Sequence, residues 1–441
     1  MRRCLALFAL ATLGTAFAQS QDGAATAWLL VSTALVLFMV VGLAFFYGGL
    51  VRRKNALNTL MMSFVAFGVV GMTWAALGYS LAFGEGGGLL GGLGHAFMQG
   101  LGLGGETYPE LLFFAFQGAF AIITAALISG AVVERMRFSA YMLFIALWSV
   151  LVYAPMAKWV WGGGFLAQLG AIDFAGGTVV HINAGVAALV LALLIGQRKD
   201  FGRKATLPHQ VPFTLLGAGI LWFGWFGFNG GSALAANPVA VLAFVNTLLA
   251  PAATLVVWAL LDLFRTGRVT AVGLATGVVI GLVAITPAAG VVSPISAILL
   301  GILATFPSYG VLLWRARSRL DDSLDVFGAH GIGGISGSLL TGVFASVAWG
   351  AGADGGLRQL GIQLLAVLVA VGFSALGSYL IAQLVGLVVP LRAAAPAEAQ
   401  GLDVPMHGEE AYTDGEGAIL IPVTSSPVAA RALVRPAGGK A

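Results

Sequence analysis

Two histidines, His181 and His330, stand inside long apolar stretches of this sequence. Polar side chains are costly in such stretches and usually face a bundle interior or a cavity. A neutral imidazole pair offers donors and acceptors without fixed charge, which suits a small polar solute or a proton better than a permanent ion. Zinc would need at least three N, O or S ligands. No third ligand is evident, because Asp173 and Asp325 lie nearer the ends of their stretches, so neither a metal nor any other cofactor is expected. One such histidine alone reads as a hydrogen-bonded packing residue. Two in matching surroundings read otherwise: each has glycines around it and an aspartate upstream, in Asp173 through His181 and Asp325 through His330.

The second unusual feature is aromatic. Phe113, Phe114, Phe116 and Phe120 surround Gln117, a later stretch holds Trp222, Phe223, Trp225, Phe226 and Phe228, and Trp161 sits between. Each ring alone is an ordinary lipid-facing, packing or interfacial residue. A few together at the mouth of a pathway could hold a small cation, each face contributing roughly 0.5 to 2 kcal/mol.

These residues must be positioned by membrane helices. Of 441 residues, 59% are hydrophobic and 9% charged, against roughly 25% charged in soluble domains. Apolar runs of the roughly 20 residues that cross a hydrocarbon core recur along the chain. Eleven spans are predicted: 26–50, 56–83, 110–132, 138–156, 176–196, 212–232, 239–264, 271–290, 292–314, 327–350 and 359–391. An odd count suggests an all-α fold of five plus five plus one, with the halves as inverted repeats around a central pathway. Spans five and ten, which carry the histidines, would then be partners. Glycine, at 63 residues, suits close helix packing in lipid.

Residues 1–18 read as a signal peptide: Arg2 and Arg3, an apolar stretch containing Cys4, the single cysteine, and Ala16-Phe17-Ala18 as a cleavage site. The mature chain would then carry no thiol, and its N-terminus would face outward. The loops then expected inside carry fourteen Lys and Arg, the opposite loops only Lys158 and Arg358. Cations in short loops stay inside, so the tail 392–441 is expected in the cytoplasm. The net charge of +4 is spread over helix ends, which gives no nucleic-acid face. Of the two long outer loops, 158–175 is expected to fold back over the outer mouth. The other, 84–109, holds Gly100, Gly102 and Gly105 in a G-x-G-x-x-G spacing, but no strand precedes them and the match is accidental. An intramembrane enzyme is disfavoured, since the mature chain would hold no cysteine and neither a third metal ligand nor a G-x-S-x-G elbow is evident.

Several stretches together resemble the ammonium transporter family, the Amt/MEP/Rh superfamily, on its bacterial Amt side. They are Phe46-Tyr47-Gly48-Gly49-Leu50, Trp161-Gly162-Gly163-Gly164, Asp173 through Gly185, Gly224-Trp225-Phe226-Gly227-Phe228-Asn229, Phe244-Val245-Asn246-Thr247, Ile285-Thr286-Pro287-Ala288 and Asp325 through Gly331. The resemblance runs from about residue 25 to 415, with the membrane domain over 25–391. It implies an inner-membrane homotrimer with one narrow hydrophobic pore per subunit. It also implies an outer ammonium site at Phe116, Phe120, Trp161 and Ser232, a gate of Phe120 stacked on Phe228, twin pore histidines His181 and His330, and Asp173 supporting the vestibule. A tail stretch, Gly401 through Tyr412, resembles the family segment that contacts the inner face and can meet a PII-type signalling protein. An ammonium sensor and a Rh-like gas channel are the alternatives. The Trp161 and Ser232 pair argues against the second.

Overall fold

The computed structural model describes residues 21–203 and 206–412. The expected signal peptide and the end of the tail lie outside the described residues. Because hydrocarbon offers backbone groups no partner, long apolar runs must satisfy them internally as helix. The described residues accordingly form helices and no named strand, with only two isolated bridges.

In chain order the helices are α1 (Gly23–Leu50), α2 (Ala56–Thr73, continued by the π-helical turn Trp74–Gly78 and Tyr79–Phe83) and α3 (Glu110–Val132). Next come α4 (Phe138–Trp148, a π-helical turn Ser149–Tyr153, then Ala154–Val160), α5 (a π-helical turn Gly177–Ile182, then Asn183–Ile195) and α6 (Val211–Gly231). Then follow α7 (Pro238–Thr266), α8 (Ala271–Ile285), α9 (Pro294–Arg317), α10 (a π-helical turn Phe327–Ile332, then Gly333–Phe344) and α11 (Leu357–Val388). Among the described residues nine helices are long and apolar enough to cross a membrane, and α8 is a shorter apolar one.

Three expected boundaries move by four residues or more. The fourth stretch runs to Val160 rather than 156, which places Lys158 inside α4, buried and donating to Gly84 O, and not in a loop. The eighth stops at Ile285 rather than 290, where Pro287 has no N–H to continue the helical hydrogen bonds. The tenth ends at Phe344 rather than 350.

Helices α1 and α6 pack closely. A Cβ on Gly217 of α6 would lie 2.6 Å from Phe46 Cα of α1, so only a hydrogen fits between the backbones. On the arginine-rich face, Glu134 accepts from Arg52, Arg198 and Asn55, while Arg198 also grips Asp321. Arg135 donates to Gly196 O, Ser323 Oγ and Asp321 O. This polar knot joins the loops after α1, α3, α5 and α9. The tail docks beside it. Arg392 pairs with Glu398 and reaches Ile195 O, and Asp403 accepts from Leu57 N and Asn58 N at the start of α2. Tyr412 bonds His209 beneath Arg53.

Candidate functional site

At the end away from the arginines, Phe116, Gln117 and Phe120 of α3, Trp161 after α4 and Ser232 after α6 line one cavity of about 270 Å³. Helical spacing brings Phe116 and Phe120, four apart, to one side of α3. Trp161 is held by its indole N–H, which donates to Asp173 O at 2.8 Å, and Ser232 Oγ donates to Phe228 O at 2.8 Å. The segment after α4 meets the other long loop, Phe165 N donating to Gly88 O.

The cavity's floor is two rings. Phe120 and Phe228 stack with centroids 4.1 Å apart and planes at 26°, both fully buried. Below them a cavity of about 10 Å³, enclosed by Ile123, Leu127, Leu221 and Trp225, ends at His181 and His330. That volume is about what one water molecule needs, and its walls are apolar. His330 also borders a third cavity, of about 460 Å³, which opens toward Tyr47, Arg198, Arg315 and Asp325. The three spaces follow one another, with the stacked rings and the imidazoles between them.

The imidazoles meet Nδ1 to Nδ1 at 3.2 Å, with ring planes 25° apart. Only an N–H facing a lone pair can hold that contact, so one ring carries hydrogen on Nδ1 and the other on Nε2. One outward Nε2 is therefore an acceptor and the other a donor. His181 Nε2 has no protein partner, and its ring lies 5.3 Å from Trp225 in a stacked arrangement.

Both histidines sit on π-helical turns, each begun by a carboxylate. Asp173 accepts from Gly176 N, Gly177 N, Thr178 N and Val179 N at 2.6 to 3.0 Å. It thereby satisfies the donors that every helix start leaves unpaired. In α10 that part falls to Asp322, which accepts from Phe327 N. Asp325, the aspartate paired with Asp173 in sequence, has left-handed backbone (φ 60°) and binds Arg315 instead. Sequence reasoning missed Asp322. The adjacent acids Asp321 and Asp322 offered no pattern to separate a cap from an ion-pair partner. It also left the Gln117 amide and the Glu134 knot without a role.

The crossing of α5 and α10 depends on glycine. A Cβ on Gly185 would stand 2.5 Å from Gly331 Cα, next to His330. Gly185→Ala is expected to push the histidine helices apart at a cost of about 1–3 kcal/mol. Unchanged thermal stability and transport together would contradict that expectation.

A narrow apolar constriction, lined by paired imidazoles and flanked at both ends by wider cavities within a helical bundle, defines a multi-pass membrane protein with a solute pathway. Its family follows from comparison with known proteins. The family model for the Ammonium Transporter Family matches residues 27–412, and the chain belongs to that family. It is 50% identical over 403 residues to the "Ammonium transporter" of Aquifex aeolicus, covering 89% of this chain and 94% of the relative. It is similar in structure to Mep2 of Saccharomyces cerevisiae, with a TM-score of 0.80, 36% identity, and coverage of 86% of this chain and 89% of that one. It is likewise similar to a structure described as "Sensor Amt Protein", with a TM-score of 0.82, 31% identity, and coverage of 88% and 99%.

Proposed function

We propose that this chain transports ammonium across the cytoplasmic membrane, with the arginine-rich face inside. The observation that carries the reading is the sequence of three cavities, aromatic at one end and pinched at the stacked phenylalanines and the imidazole pair. Ammonium enters at Phe116, Phe120, Trp161 and Ser232, exchanging water for π faces and the Ser232 hydroxyl. It gives up its proton near the Phe120–Phe228 gate, back to the outer water or onto the imidazole pair. Ammonia then passes His181 and His330, alone or with a proton carried separately. A potassium ion has no proton to give up and must pay for its lost water, so the apolar constriction excludes it. Asp173 supports the vestibule by fixing Trp161 through its carbonyl and the start of α5 through its carboxylate.

In this reading α8 and α10 also cross, giving eleven crossings, with the two halves inverted about the pathway and the N-terminus outside after removal of residues 1–18. Three copies form a homotrimer, each with its own pore, and the docked tail offers a surface to a PII-type signalling protein. The likeness to a sensor supports a second reading, an ammonium sensor, in which the same site reports occupancy through the tail.

The test is current evoked by ammonium, and not by potassium, in proteoliposomes holding the pure protein. Binding without flux would favour the sensor, and neutral ammonia flux without current would favour a gas channel. Trp161→Leu is expected to raise the half-saturating ammonium concentration several-fold while leaving maximal current near native, since an apolar side chain is kept and the π face is lost. An unchanged concentration dependence would remove Trp161 from the site.

A further inference from the structure

We infer that Gln117 supplies a second oxygen to the outer ammonium site, accepting an N–H from the bound cation and setting the preference for ammonium over its alkylated forms. The inference rests on the outer site proposed above. Gln117 follows Phe116 on α3 and borders the same cavity as Phe116, Phe120, Trp161 and Ser232. It is 8% exposed, and its Oε1 is buried with no hydrogen-bond partner. A buried carbonyl oxygen left without a donor is unfavourable and uncommon in folded proteins, and asks for an explanation such as a ligand.

Two donors near it, those of Trp161 and Ser232, are already committed. The Trp161 N–H is bound to Asp173 O, and the Ser232 hydroxyl hydrogen to Phe228 O. What Trp161 and Ser232 leave for a solute is therefore a π face and the lone pairs of Ser232 Oγ, and the unpaired Gln117 Oε1 lies in the same wall. Such acceptors suit a solute that donates in several directions. Ammonium has four N–H groups and no lone pair, whereas water and ammonia both need a donor as well. Methylammonium has one N–H fewer and a methyl group to place, so a site that uses two oxygens and several rings binds it less well.

The experiment is ammonium-evoked and methylammonium-evoked current in proteoliposomes of the full chain, comparing native protein with Gln117→Leu, Gln117→Glu and Ser232→Ala. Gln117→Leu is expected to raise the half-saturating ammonium concentration about tenfold, the measure of one hydrogen bond to a charged group. Maximal current should stay near native, and the ammonium to methylammonium preference should narrow. Gln117→Glu keeps an acceptor oxygen and is expected to bind ammonium at least as well as native protein. Should the Leu variant not accumulate, Gln117→Met, of similar length and without the oxygen, is read in its place. A lowered maximal current with unchanged half-saturation would make Gln117 a packing residue and overturn the inference. A shift in Ser232→Ala with none in Gln117→Leu would overturn it alone. No shift in either would overturn the outer site as well.

Discussion

Replacing His181 by Ala is expected to abolish ammonium-evoked current, a loss of roughly a hundredfold or more, the lower end of what a positioned proton-transfer group contributes. A methyl group neither accepts nor donates, and the Nδ1 to Nδ1 contact at 3.2 Å cannot form without both rings. His330→Ala is expected to behave alike, even where neutral ammonia still leaks through. The double variant should cost little more than either single one, because members of one hydrogen-bonded unit are non-additive. His181→Leu and His181→Gln separate proton transfer from space filling, since both roughly restore the volume. Native current in those variants, with potassium still excluded, would return the histidines to a packing role.

The second large effect is on stability, at Glu134. Its side chain is fully buried, that of Arg198 nearly so, and it bonds Arg52 and Asn55 as well. Burial pushes its carboxyl up. The hydrogen bond from Arg52 and the charges of Arg198 and Arg52 outweigh that and hold it below the ordinary carboxylate range. Glu134→Ala leaves two guanidiniums without this partner and is expected to destabilise by about 3–5 kcal/mol. Thermal unfolding in detergent at one fixed scan rate measures it. The sign with pH follows from the depressed pKa. The contribution is fully present above the unfolded value of about 4.3 and is lost as pH falls through the folded one. The gap between native and Glu134→Ala unfolding midpoints should therefore hold from pH 8 to about 5 and close below about 4. A gap that widens on acidification would mean the charge of Glu134 is not what stabilises the knot.

What was legible in the sequence was what repeats locally. Apolar runs placed the helices, and two histidines with glycines around them marked the α5 and α10 crossing. Long-range pairings left no such mark. Nothing in the sequence near Glu134 points to Arg198 or Asn55, and the cap of α10 is Asp322 rather than Asp325, because Arg315 claims the latter. The π-helical turns were equally hidden, since residues such as Trp74–Gly78 and Ser149–Tyr153 keep the apolar composition of ordinary helix. Lys158 was misplaced for a related reason: a cation near the end of an apolar run looks like a loop residue until its carbonyl partner, 74 positions away, is seen.

The knot at Glu134, Arg198 and Asp321 fastens the loops after α3, α5 and α9 to one another at a single face. A cycle that rocked one half against the other would have to part these buried charges at every turnover, at several kcal/mol each time. Flux through this chain should then follow the kinetics of a fixed hole. Its rate would rise gently with temperature, with a small activation enthalpy set by stripping water from the solute, and without the steep slope of a machine that swings.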